Sequence, residues 1–147
     1  LVAARAGNEA IVKLLLERGA RCDPERGVPA LIAAASAQDD VAPIVKRLLK
    51  AKARIDARDR LGRTALHAAA LHGHGEISEL LLAAGIEIDA RDSHGVTALM
   101  EAARAGGNRV LSRMLFRKPN ASYVDAVGRT ALHLACQSRQ STIETVK

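Results

Sequence analysis

The chain has 147 residues, 48% of them hydrophobic, with a mean hydropathy of zero and a net charge of +6. That balance is long and apolar enough to bury a core, which excludes a disordered chain, and no apolar run approaches the roughly 18 residues needed to cross a bilayer. Phe116 and Tyr123 are the only aromatic residues, so the core must be built from Ala, Leu, Ile and Val.

Taken in chain order, the first 23 residues read as the end of a helical unit, since the chain opens on the pair Ala3 and Ala4 and carries a second apolar pair at Leu15 and Leu16. The following turn, CDPERG at 22–27, is about two residues shorter than the later turns and predicts a stunted finger. GVPALI then opens a second unit at Gly27, with Pro29 in the capping position, the pair Ala34 and Ala35, and the pair Leu48 and Leu49. Its inter-helix segment, SAQDDVAP at 36–43, has an insertion that predicts a longer and looser connection. GRTALH at 62–67 opens a third unit: Thr64 caps a short helix bearing Ala69 and Ala70, Gly73 to Gly75 breaks it, and Ile77, Leu81 and Leu82 form the stripe of a second helix that Gly85 closes. GVTALM at Gly95 opens a fourth, with Ala102, Ala103, Met114 and Leu115 in the same places, and GRTALH returns intact at 128–133. Asp59 stands three residues before Gly62, a spacing at which its side chain bonds the amides of a turn. Lys52 and Lys118 stand where a closing glycine is expected; Pro119 predicts that the second of these loops takes a different path.

The openings are spaced 35, 33 and 33 residues apart. A fixed period in this range marks a stacked repeat protein, in which helices too short to be stable in water alone bury their faces against neighbouring copies. TALH followed by an Ala pair, a mid-unit Gly, an Ile or Val, a Leu pair and a closing Gly resembles the ankyrin repeat. The resemblance covers essentially the whole chain and implies an all-α ankyrin-repeat solenoid of stacked helix-loop-helix units with β-hairpin-like turns. The single domain would span 1–147, with units at 24–58, 59–91 and 92–124 and partial units at 1–23 and 125–147. Cys22 and Cys136 fall in opposite end units, too far apart for a disulfide. Two unpaired cysteines fit a reducing, cytoplasmic setting better than a secreted one.

The resemblance also implies a protein partner, bound along the concave side formed by the turns and the outward positions of the first helices. Here that face comprises Arg5, Arg26, Arg58, Arg60, Arg63, Arg91, Arg104 and Arg129, with Val28, Leu61, Leu71, His72, His94, Val96, Val124 and Val127 and the small or polar Ser36, Ala37, Ser93, Ala126, Gln137 and Ser138, while Glu25 is its one acidic residue. Guanidinium groups offer forked recognition of carboxylates, so the expected partner segment is acidic, and Leu61, Leu71, His72 and His94 form the apolar centre of the groove. His72-Gly-His74, with His94, lacks the companion ligands of a metal site, so no metal or other cofactor is expected. Ser and Cys have no His and acid partners in view, and no glycine-rich phosphate loop follows a strand, so neither catalysis nor a small-molecule substrate is expected. Nucleic-acid binding is disfavoured, despite the charge, by the lack of stacking aromatics and of a Lys-rich stripe. The alternative reading is a regulatory or substrate-recruiting segment of a larger enzyme.

Overall fold

The computed structural model describes residues 8–23, 25–39 and 41–145, with side chains through Ser138. The pair Ala3 and Ala4, and Arg5, lie outside the described residues.

Among those residues the chain forms eight helices and no strand: α1 Glu9–Glu17, α2 Ala30–Ala35, α3 Ala42–Lys50, α4 Ala65–His72, α5 Gly75–Ala83, α6 Ala98–Ala105, α7 Asn108–Phe116 and α8 Ala131–Thr145. Helix α1 starts at Asn8, whose side chain accepts the Ile11 amide at 3.1 Å. Thr97 caps α6 in the same way, accepting the Met100 amide at 3.3 Å. At Thr64 the traffic also runs backwards: Nδ1 of His67 accepts the Thr64 amide at 3.1 Å and lies 2.9 Å from the Thr64 hydroxyl. Helices α4 and α6 end on Gly73 and Gly106, at φ 72° and 70°, conformations that cost a residue with a Cβ. Arg139 stands at the next equivalent position, and with no glycine to stop it α8 runs on to Thr145 as one continuous helix.

Helices α2, α4, α6 and α8 stack on one another as one layer, and α1, α3, α5 and α7 as a second. Alanines at the first-helix contacts let the backbones approach closely, and Ala34, Ala69 and Ala102 are fully buried. The leucine of each repeated phrase shows what stacking does. Leu31, Leu66 and Leu99 are 1%, 0% and 3% exposed, whereas Leu132 on α8 is 73% exposed, since no later described helix pair covers it. Full burial of such a side chain contributes about 1.5–3 kcal/mol, so each unit's stability comes largely from its neighbour.

Two expectations change. The connection after α2 is longer than the two-residue links at 73–74 and 106–107, but among its described residues Ala37 and Val41 are buried in the core and not loose. Pro119 does not redirect the loop after α7: Lys118 takes the left-handed conformation at φ 53°, as Lys52 does at φ 61°, so both fill the glycine role at a steric cost of about 1–2 kcal/mol. Both cysteines are free thiols. Burial, then the neighbouring Asp23 charge, pushes the Cys22 thiol above its ordinary range and keeps it protonated.

Candidate protein-binding face

The turns between units are hairpin-like fingers built around an aspartate. Asp59 Oδ1 accepts the amides of Leu61 and Arg63 at 2.9 and 3.0 Å, Asp92 Oδ1 those of His94 and Val96, and Asp125 Oδ1 those of Val127 and Arg129. The Asp amide closes each finger onto the carbonyl four residues on, and the glycine three residues on bonds back to the Asp carbonyl. Gly62 is needed on two counts: its φ is +73°, and a Cβ there would sit 3.2 Å from the Ser93 amide nitrogen.

Neighbouring fingers are joined through their backbones. The Ser93 amide donates to Leu61 O at 2.9 Å and the Ala126 amide to His94 O at 2.8 Å. His67, buried beneath, donates from Nε2 to Val96 O at 2.9 Å, which with an accepting Nδ1 requires the neutral ring. Burial lowers the His67 pKa, and the pull of Asp92 and Glu101 in the other direction does not offset it.

The arginines divide by what already engages them. Arg58 donates to Gly62 O in its own finger and to Arg91 O in the next, both at 2.9 Å. Arg91 repeats this with Gly95 O at 3.4 Å and Val124 O at 2.9 Å, and lies 5.3 Å from the centre of the Tyr123 ring. These two guanidinium groups fasten finger to finger. Arg63 pairs with Asp59 and Arg129 with Asp125, at 2.8 and 2.9 Å. Burial alone would raise the Asp59 carboxyl, but the side-chain and backbone bonds from Arg63 outweigh it and hold the pKa below the usual range. At Asp125 the Arg129 amide is the largest influence, and the result is again lowered. Arg104 pairs with Glu101, whose side chain is buried at the base of the face. Arg26 and Arg60 are exposed and have no hydrogen bond or ion pair among the described residues.

Eight of the residues placed on this face by sequence, Leu61, Arg63, His94, Val96, Arg104, Ala126, Val127 and Arg129, come together around one hollow of about 320 Å³ spanning three fingers and α6. Leu71 and His72, at the end of α4, do not line it, and nor do Arg26, Arg58, Arg60 or Arg91. The His72 ring stacks instead on His74, with centres 6.0 Å apart. Sequence reasoning passed over the acidic side of the hollow, Asp92, Glu101 and Asp125. The signal was present as DxxxR at 59–63 and 125–129 and as ExxR at 101–104, spacings at which opposite charges meet across a turn or on one helix face.

No group of three or more His, Cys, Asp or Glu among the described residues is placed to hold a metal ion. No described helix is long and apolar enough to cross a membrane. The ankyrin-repeat family profile, in three copies, matches residues 1–92. No curated protein matches the chain. With that profile covering more than half of its length, and with short helix pairs stacked in two layers joined by fingers, the chain belongs to the ankyrin-repeat family, whose repeats are generally protein-protein interaction modules.

Proposed function

We propose that the chain is a single protein-recognition domain, with units at 24–58, 59–91 and 92–124 and partial units at either end, which holds an acidic segment of a partner protein along its concave finger face. The observation that carries this reading is the hollow of about 320 Å³, because it draws apolar Leu61, Val96 and Val127 together with Arg63, Arg104 and Arg129 from successive units. Exposed apolar side chains set among charged ones are the arrangement of an interface anchor site, and Leu61 and Val127 are 45% and 76% exposed. Arg104 supports the acidic partner: more than half of its side chain is exposed, and one carboxylate neighbour leaves further donors on its fork unused.

Photo-crosslinking tests the reading. A benzophenone side chain is placed at His94 in the hollow, or at Lys46 on the second-helix layer, and crosslinks are formed in cell extract and identified by mass spectrometry. The expected result is a protein captured from His94 and lost on Arg104→Glu. Capture from Lys46 alone would overturn the reading.

A further inference from the structure

We infer that Asp92 is the docking point for one arginine side chain carried by the partner segment, whose guanidinium takes the place that the chain's own arginines hold on the neighbouring fingers. The inference deepens the proposed recognition function and rests on it. The fingers at 59–63, 92–96 and 125–129 are built alike: in each, the aspartate Oδ1 accepts two amides, and the aspartate amide donates to the carbonyl four residues on. That leaves Oδ2, which an arginine four residues on takes in the first and last of the three. Arg63 donates from Nε to Asp59 Oδ2 at 2.9 Å, with Nη2 at 2.8 Å from the same oxygen, and Arg129 donates from Nε to Asp125 Oδ2 at 2.9 Å. In the middle finger that position is Val96, and Asp92 Oδ2 has no hydrogen bond or ion pair among the described residues.

Water satisfies an open carboxylate oxygen, so it is the two occupied copies, and not a missing bond, that identify the ligand. Place, charge and shape agree with them. Asp92 and Val96 both line the hollow of about 320 Å³, so the unfilled position opens on the face along which the partner lies. Around that hollow Arg63, Arg104 and Arg129 are each held by a carboxylate of their own, Asp59, Glu101 and Asp125, which leaves Asp92 as the lining carboxylate with no basic partner. Leu61 and Val96 offer an apolar wall for the methylenes of an incoming arginine. Its planar fork can bring two N–H groups to one oxygen, as Arg63 does, which the point charge of a lysine does less well. An acidic segment with one arginine answers both signs of charge: its carboxylates meet the unused donors of Arg104, and its guanidinium meets Asp92.

The test is a titration of ¹⁵N-labelled protein with synthetic peptides of alternating Glu and Ala whose central residue is arginine, lysine or citrulline, the last being the uncharged isostere of arginine. The arginine peptide is expected to shift the amides of Leu61, His94 and Val96 and to bind about fivefold tighter than the citrulline peptide, the scale of one surface ion pair, with the lysine peptide between them. Asp92→Asn keeps an oxygen for the finger amides and removes the charge, so it is expected to abolish the preference for arginine over citrulline. Val96→Arg rebuilds in this finger the pair its neighbours have. It is expected to abolish the same preference, and the Nε–H of the introduced group should exchange with water as slowly as those of Arg63 and Arg129. Equal affinity for the arginine and citrulline peptides, or no binding of the arginine peptide, would overturn the guanidinium as occupant. A preference that survives in Asp92→Asn would overturn Asp92 as its docking point, and fast exchange of the introduced Nε–H would show that this finger does not hold a guanidinium at all. Protein recognition itself is judged separately, by crosslinking from His94.

Discussion

His74 donates from Nε2 to the carbonyl oxygen of Ala37, 2.7 Å away, and so ties the first turn of α5 to the long connection of the preceding unit. A carbonyl can only accept, so this nitrogen carries the proton, and both ends of the bond are buried. The insertion that lengthens the connection is thereby held against the stack. His74→Ala leaves Ala37 O without a donor and opens a void, for a combined loss of about 2–3 kcal/mol in urea unfolding, and amide exchange should accelerate first around residues 37–41. Unchanged stability in that variant would show that the bond does not hold the connection.

His67 makes stability depend on pH with a definite sign. Its native pKa lies below the ordinary 6.5, so as pH falls through that value the unfolded chain gains a proton that the native ring refuses. The contribution is therefore complete above about pH 6.5 and declines below it. Asp59 and Asp125, both lowered from 3.8, contribute stability above that value and lose it only as pH falls further, so the two windows separate. His67→Gln keeps one acceptor and one donor without a titrating ring. Unfolding free energies measured near pH 7.5 and pH 5.5 should differ less in this variant than in the native chain.

Arg91 is expected to act on the coupling of fingers before it acts on any ligand. Its Nε and Nη2 reach two carbonyls in different fingers, a fork that an ammonium group does not reproduce. Arg91→Lys should therefore cost about 1 kcal/mol, close to the loss in Arg91→Ala, and should speed exchange of the Ala126 amide roughly fivefold. A lysine variant with native exchange at Ala126 would reduce the arginine to a surface charge.

The fold was legible because every level of the sequence repeats in phase: TALH, the alanine pair and the second-helix leucines return at nearly constant spacing, and only stacking buries all of them. The aspartate turns were legible too, because an Asp three residues before a Gly is a local signal. Less visible was the division of labour among the arginines. What engages Arg58 and Arg91 is a carbonyl 33 residues further on, a relation that appears only once the fingers stand side by side. Arg63 and Arg129 looked available for a partner because residues were read singly, although their carboxylates lay four positions away. Lys118 failed for a different reason. The proline after it suggested another path, but the end of α7 closes in the left-handed turn, with the Lys118 amide donating to Leu115 O at 3.0 Å, and local preference is too weak to overrule that.

Lys52 and Lys118 hold matching positions two units apart, each with a positive φ that Gly19 and Gly85 occupy at the corresponding helix ends. Left-handed backbone at a residue with a Cβ costs about 1–2 kcal/mol, while a glycine gives back part of the gain through its greater freedom in the unfolded chain. The balance favours glycine, so Lys52→Gly and Lys118→Gly should each stabilise the fold by about 0.5–1 kcal/mol, and, being far apart and sharing no contact, the two gains should add. A lysine-to-alanine change separates the causes: it removes the same charge but keeps the Cβ, and should give no gain in chemical denaturation. If alanine stabilises as much as glycine, the relief comes from lowering positive charge on a chain of +6 and not from the backbone.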